Sequence, residues 1–433
     1  MIVAAVLFAL TCLLMILAIL FFPKLRLGRL SLDTYVLVTL GGAIVLLALG
    51  IVPLGSVGAA LISDSAVNPV KILVLFLSMT ALSVFLDELG FFRYLAYAVL
   101  CRARGGQRRL FLILYLTVSV LTVFTSNDVI ILSFTPFICY FAKNAGIDPM
   151  PYLAAEFVAA NTWSMMLIIG NPTNIYLATA AGIDFITYLR VMLLPTLLSG
   201  SIAFLILYRL FHRQLSRRMS VKPERETVGD RYLLVIGLVH LGVCTLLLAI
   251  GSYIGLEMWL VALGSVVSLS VFTLLGSALC HRPPRELGHA LRRAPWQLVP
   301  FVLSMFVMIV VLGEVGVTAA IGRFLARLPA IPAYGISSLL AANIVNNIPM
   351  SVLFSGIITA GGRGATAVYA TVIGSNIGAF LTPIGALAGI MWSEILRSHG
   401  LRFGYRDFLK IGAMVAIPTA AAALFGLFLV LPA

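Results

Sequence analysis

The stretch Leu167–Ala178, LIIGNPTNIYLA, decides how this chain is read. It lies inside an apolar run at 152–181 that is long enough to cross a membrane as a helix. Its centre, however, holds Gly170, Asn171, Pro172, Thr173 and Asn174. Proline removes a backbone donor and clashes with the preceding turn, and the amide and hydroxyl groups bring dipoles that lipid cannot satisfy. Irregular backbone is tolerated at membrane depth only where it is buried in protein or lines a cavity. Taken alone, the break reads as a kink or as part of a site.

The surrounding composition makes it a membrane question. Of 433 residues, 61% are hydrophobic and 10% charged, with a mean hydropathy of +1.10; soluble domains carry roughly a quarter charged residues. Long apolar runs predict helices at 2–22, 33–54, 69–90, 152–181 (broken), 191–211, 231–250, 256–280, 295–316, 366–396 (broken) and 406–431. A β-barrel is excluded, because its strands alternate and are only about 10 residues long. Two further stretches, about 107–143 and 332–362, have polar centres, TSND at Thr125–Asp128 and VNN at Val345–Asn347. Each is read as a re-entrant hairpin that enters and leaves on one side.

Charge orders these segments. The first has no basic residues before it, and Lys24, Arg26 and Arg29 follow it, so it reads as a spanning helix with the N-terminus outside and not as a secretory signal. With that start, the C-terminus is also outside. The inner segments then hold 24 of the 29 Lys and Arg, and the outer side holds Lys71, Arg190, Arg323, Arg327 and Arg363. The net charge of +13 therefore reports positive-inside bias, and a nucleic-acid partner is not expected. The cysteines, Cys12, Cys101, Cys139, Cys244 and Cys280, show no metal-binding spacing and read as small apolar residues.

The two halves repeat. LSMTALSVFLDELG (Leu77–Gly90) matches LSMFVMIVVLGEVG (Leu303–Gly316) without a gap, and Asn127-Asp128 matches Asn346-Asn347. Asn161 and Gly170 are nine apart, as are Asn376 and Gly385. The expected fold is an all-α polytopic membrane protein of two repeats, 1–211 and 231–433, joined by a cytoplasmic linker at 212–230. Each repeat has five spanning helices, one of them broken, plus a hairpin. Five crossings are odd, so the second repeat must be inverted. Inverted repeats with interrupted helices mark secondary transporters, which bind cargo where the repeats meet.

The candidate site is four polar breaks. The hairpin tips supply Ser126, Asn127, Asp128, Asn346 and Asn347. The broken helices supply Asn161, Thr162, Gly170, Asn171, Thr173 and Asn174 in one half, and Ser375, Asn376, Thr382, Pro383 and Gly385 in the other. A break leaves N–H groups facing an oxyanion or hydroxyl and C=O groups facing a cation. Asp128 is the carboxylate at these breaks, suited to a cation or a coupled proton; its bland reading is a cap on the second hairpin arm. Glu156, early in the first broken helix and near the interface, reads equally as a functional or a surface carboxyl; Asp87-Glu88 and Glu314 read as capping or pairing with Arg, and His240 as a hydrogen-bonded packing residue. Signatures of nucleotide hydrolysis or of hydrolytic enzymes are missing, so no enzyme activity, metal or cofactor is expected beyond a coupling H⁺ or Na⁺.

These residues resemble the ion transporter superfamily, and within it the arsenite-permease branch, with bacterial sodium/proton antiporters and divalent-anion:sodium symporters as more distant relatives. The segments that carry the resemblance are FLDELGFF (Phe85–Phe92), TSNDVIILSFTPF (Thr125–Phe137), RRAPWQLV (Arg292–Val299), NIVNNIPMSVL (Asn343–Leu353) and YATVIGSNIGAFLTPIGALAGIMW (Tyr369–Trp392). LIIGNPTNIYLA looks more like the dicarboxylate branch.

The resemblance implies an elevator-type carrier in the cell membrane. Ser126, Asn127, Gly170 and Asn174 would line one half-site, and Asn346, Asn347, Asn376, Thr382 and Gly385 the other. It departs from arsenite permeases where they usually carry Asp and this chain has Asn161 and Asn376, which leaves Asp128 with more of any proton coupling. A site without Lys or Arg suits arsenious or antimonous acid. A dicarboxylate or inorganic anion carrier and a sodium/proton antiporter remain as alternatives. A homodimer and a soluble ATPase partner are both left open.

Overall fold

In the computed structural model, described for residues 1–22, 24–27, 30–62, 68–103, 106–217, 219, 229–251, 255–279, 283–401 and 403–431, helices follow the apolar runs. Cys280, most of the linker, and Arg29, Arg104, Arg218, Lys222, Arg225, Arg282 and Arg402 lie outside the described residues. α1 (Ile2–Phe21) leads into an antiparallel ribbon of β1 (Lys24–Leu27) and β2 (Leu30–Asp33), with Lys24 opposite Asp33. KLRL and LSLD alternate with the period of a strand, and this ribbon amends the all-α expectation. The helix expected at 33–54 stops early as α2 (Thr34–Ala48), because Gly50 turns at φ +60 and Pro53 follows, and a further short helix, α3 (Leu54–Ile62), begins where the expected one was to end.

α4 (Pro69–Glu88) starts at Asn68, whose side chain accepts from the Val70 and Lys71 N–H groups. α5 (Phe91–Ala103) follows, then α6 (Gln107–Phe124), α7 (Asn127–Ala145) and α8 (Met150–Trp163). Two 3-10 turns, Ser164–Met166 and Ile168–Gly170, precede α9 (Pro172–Ala180) and the long α10 (Phe185–Leu215). The second half runs α11 (Arg231–Gly251), α12 (Met258–Leu279), α13 (Arg285–Arg293), α14 (Leu298–Glu314), α15 (Val317–Leu325), α16 (Ala330–Val345) and α17 (Asn347–Ala360). It ends with α18 (Ala365–Gly378), α19 (Leu387–Ser398) and α20 (Tyr405–Val430). Among the described residues, eight helical stretches are long and apolar enough to cross a membrane, so the chain is a multi-pass membrane protein.

Burial sorts the helices. α11 and α12 turn Val239, Val243, Val267 and Val271 outward, as lipid-facing helices do, whereas α8 and α18 bury nearly every residue. α18 lies against α16 so closely that a Cβ on Gly374 would sit 2.0 Å from Ser338 Oγ. Without a hydrophobic force between helices in lipid, such small-residue contacts hold them together.

Two rims carry the charges. At one, Lys24 pairs with Glu394 at 2.5 Å, and Arg293 pairs with Asp87 at 2.9 Å and with Glu88. Arg108 donates to Ser216. The two contacts of Arg293 agree with the capping-or-pairing reading of Asp87-Glu88. At the other rim Lys71 pairs with Glu257, and Arg363 donates to the carbonyls of Ala326 and Leu328.

Candidate functional site

The first break is a fold-back. α8 stops at Trp163, the chain makes two 3-10 turns, and α9 restarts on Pro172 with Asn171 as its cap, the amide oxygen accepting from Thr173 N–H at 3.1 Å. Gly170 packs onto the turn it closes: a Cβ there would lie 2.2 Å from the Ser164 carbonyl oxygen. Asn174 stitches the loop by donating to the carbonyls of Ser164 (2.8 Å) and Leu167 (3.1 Å). These bonds satisfy carbonyls that the broken helix leaves open.

One residue of the other half completes this network. Asn376, fully buried on α18, donates to Asn174 Oδ1 at 2.7 Å and accepts from Asn171 Nδ2 at 3.0 Å and Ser164 Oγ at 2.9 Å. The resemblance grouped Asn376 with the second half-site; the structure brings it to the first. Asn161 accepts from Asn127 Nδ2 at 3.0 Å, which ties the first hairpin tip to α8.

The second break is held differently. Between α18 and α19, Thr382 Oγ1 donates to Asn343 Oδ1 at 2.6 Å, and Asn343 donates to Gly378 O at 3.0 Å. The tip joins in: Asn346 Nδ2 donates to Ile384 O at 3.0 Å, and Asn347 N–H donates to Gly385 O at 3.1 Å. Asn346 adopts φ +71, ψ 152, a region essentially reserved for glycine. Gly385 has no room for a side chain, since its Cβ would meet Gly378 O at 2.5 Å. The Pro383 carbonyl packs against Gly389 in the same way, at 2.6 Å.

Four of the candidates present a buried oxygen without a hydrogen-bond partner among the described residues: Asn127 Oδ1, Thr162 Oγ1, Asn347 Oδ1 and Ser375 Oγ. Unmet buried polar atoms are rare and costly, about 1–3 kcal/mol each. They are neutral acceptors, or hydroxyls that also donate, fit for a cation or a hydroxyl-bearing guest. No group of three His, Cys, Asp or Glu able to hold a metal occurs among the described residues.

Asp128 stands apart from both networks. Ser126, not Asp128, caps α7, accepting from the Asp128 N–H at 3.3 Å, so the capping reading of the carboxyl fails. The side chain lines a cavity of about 780 Å³ that opens toward the rim with Lys24, Arg293 and Glu394, with Asp33, Tyr35 and Thr80 on its walls.

Glu156 is fully buried, because α8 is enclosed by α6, α7, α10 and α18, which removes its surface reading and leaves the functional one. His240 makes the bonds of a packing residue, to Ile236 O and to Ser268 Oγ. Ser164 and Asn343 went unread in the sequence, although each lies three residues from a chosen asparagine, on the same helical face.

A model of the citrate transporter family, CitMHS, matches residues 34–368. The arsenical pump membrane protein of Escherichia coli K12 is 28% identical over 375 residues, covering 82% of this chain and 85% of that protein. The protein of the same name in Yersinia enterocolitica is 26% identical over 376 residues, with the same coverage. Among solved structures, the YdaH transporter of Alcanivorax borkumensis superposes with a TM-score of 0.58 at 13% identity over 98% of both chains, a likeness of fold.

Proposed function

This chain belongs to the citrate transporter family, CitMHS, and from that premise we propose that it is a secondary transporter exporting arsenite, antimonite or a related small oxyacid on an ion gradient. The observation that carries the substrate is the chemistry of the breaks. They present amides, hydroxyls and backbone groups, and of the three basic residues that line the cavity, Lys24, Arg292 and Arg293, two are engaged by carboxylates. A neutral trihydroxy acid can exchange hydrogen bonds with such groups without desolvating a charge. The relatives named arsenical pump membrane proteins support the same reading.

In this proposal the two halves are inverted repeats, 1–211 and 231–433, and the pairs α6–α7 and α16–α17 are re-entrant hairpins. The rim carrying Lys24 and Arg293 is cytoplasmic, with both termini outside. The hairpins and broken helices move together as the elevator, and Asp128, facing the cavity, takes the coupling cation or proton.

A second reading is a carboxylate carrier. It is favoured by the family's description and by Arg292, which lines the cavity mouth and forms no ion pair among the described residues. Proteoliposomes decide between them. Arsenite is expected to accumulate under an imposed pH or Na⁺ gradient, with citrate failing to compete. Uptake of citrate in place of arsenite establishes the second reading. Asp128→Asn should abolish gradient-driven accumulation, and flux that stays proton-coupled and unchanged removes Asp128 from coupling.

A further inference from the structure

Among the described residues, Glu156 is the one carboxyl that the proposed transport site does not use and that is nonetheless wholly enclosed. It lies on α8, five residues before Asn161. Thr135 Oγ1 donates to its two oxygens at 2.9 and 3.1 Å. The indole N–H of Trp392, from α19, lies beside the same carboxyl without a hydrogen bond of ordinary geometry. From α7 the sulfur of Cys139 also faces it. Tyr152, one turn back on α8, directs its hydroxyl to Gln107 instead. Among the described residues no charged side chain of α6, α7, α10, α18 or α19 acts on it. An ionised carboxylate here would be unpaired in a dry interior, a state that costs several kcal/mol.

Thr135 is unusual in how it spends its hydroxyl. Serines and threonines inside these helices mostly bond the carbonyl one turn back, as Ser133 does to Val129 O and Thr122 to Val118 O. Thr135 turns outward to the carboxyl. The next residue, Pro136, cannot donate to the carbonyl of Leu132, so that carbonyl loses its helical partner. Asp128, Leu132 and Thr135 follow one another at helical spacing on one face of α7, and Asp128 and Leu132 both line the cavity. That face therefore runs from a carboxyl in the cavity to a buried carboxyl two turns away, about 10 Å along the axis.

We propose that Glu156 is a proton-binding site, loaded from the Asp128 cavity along this face of α7. Water admitted from the Asp128 cavity carries the proton over the roughly 10 Å between the two groups: an O–H bond breaks at Asp128, the Thr135 hydroxyl accepts a proton from that water and passes on its own, and an O–H bond forms at Glu156; release retraces the steps. The site would let the moving bundle carry a proton across as a neutral group, apart from the polar network that holds the cargo. This use of the proton rests on the transporter reading, whereas proton binding itself does not.

The test separates the two. Infrared difference spectra of the reconstituted protein, titrated between about pH 4 and 9, should show a carboxylic-acid C=O band that changes with pH. Glu156→Gln should lack that band, and Thr135→Val should shift it. Spectra that are the same in wild type and both variants overturn the proposal, and no substrate is needed to see it. In liposomes reporting internal pH, arsenite addition should move protons with wild type. With Glu156→Gln that proton movement should be lost while arsenite exchange continues. If Gln prevents folding, Glu156→Asp must restore the band at a displaced position; its absence there equally refutes the site. A pH-dependent band without arsenite movement would leave the proton site standing and sink the transport reading.

Discussion

The two helix breaks look alike in sequence and are held together by different means. The first, between α8 and α9, is stitched by side-chain amides, with Asn174 and Asn171 closing the loop and Asn376 arriving from the opposite half. The second, between α18 and α19, is held by backbone and by its hairpin tip, through Asn347 N–H to Gly385 O and Asn346 to Ile384 O. The first tip is hydrogen-bonded to its own half through Asn127 and Asn161, and its carboxyl faces an open cavity. A break locked to its tip moves with it, whereas a break locked to the other half couples the halves. The asymmetry assigns rigidity to the second unit and communication to the first.

The largest test of that difference is Asn376→Ala. It removes the partners of Asn171 Nδ2, Asn174 Oδ1 and Ser164 Oγ at once, and the loss should be on the order of 3 kcal/mol, given typical penalties for buried polar groups and their damping in membranes. Thr382→Val, which breaks the single bond to Asn343, should cost about 1 kcal/mol. Thermal unfolding of the purified variants, followed by size-exclusion fluorescence, ranks them. Equal losses would mean that the first break is no more cross-linked than the second.

Next in size is the strain at the second tip. Asn346→Ala and Asn346→Gly both delete the bond to Ile384 O, but only Gly relieves the φ +71 backbone. Ala should therefore be less stable than Gly by about 1–2 kcal/mol. If the two melt together, the tip relaxes freely and the rigid-unit assignment fails.

What the sequence could reveal follows the same division. Spans were legible because each is a long apolar run, and breaks because Gly, Pro and Asn interrupt such runs. Local bonds, such as Asn171 capping α9, follow from spacing alone. The pairing of Asn376 with Asn174 was not legible, since it joins residues 202 apart and no periodic signal reports it. The burial of Glu156 was hidden for a related reason: α8 is covered on every side, so it has no polar face from which burial could be judged. The short α13 was read as loop because its apolar face amounts to Leu287 and Ala290 among charges.

The smallest effect belongs to the far end of the second unit, where α19 meets the β-ribbon through Lys24 and Glu394. Both side chains are about half exposed, so Lys24→Ala should cost less than about 1 kcal/mol and lose even that at high salt. The neighbouring Asp33 adds a pH signature. Burial pushes its carboxyl above the ordinary value, Lys24 pulls it back down, and Glu394 pushes it up again. A carboxyl raised in the folded state binds its proton more tightly there than in the unfolded chain. Stability therefore falls as pH rises from the unfolded value, about 4, through the raised folded one. Lys24→Ala removes the lowering influence and should deepen that fall, whereas Asp33→Asn should flatten it. Melting curves between about pH 4 and 7 read both slopes. If Lys24→Ala leaves the slope unchanged while Asp33→Asn removes it, Lys24 does not act on Asp33. The ribbon would then be joined to α19 by packing alone, and the second unit would end at α19.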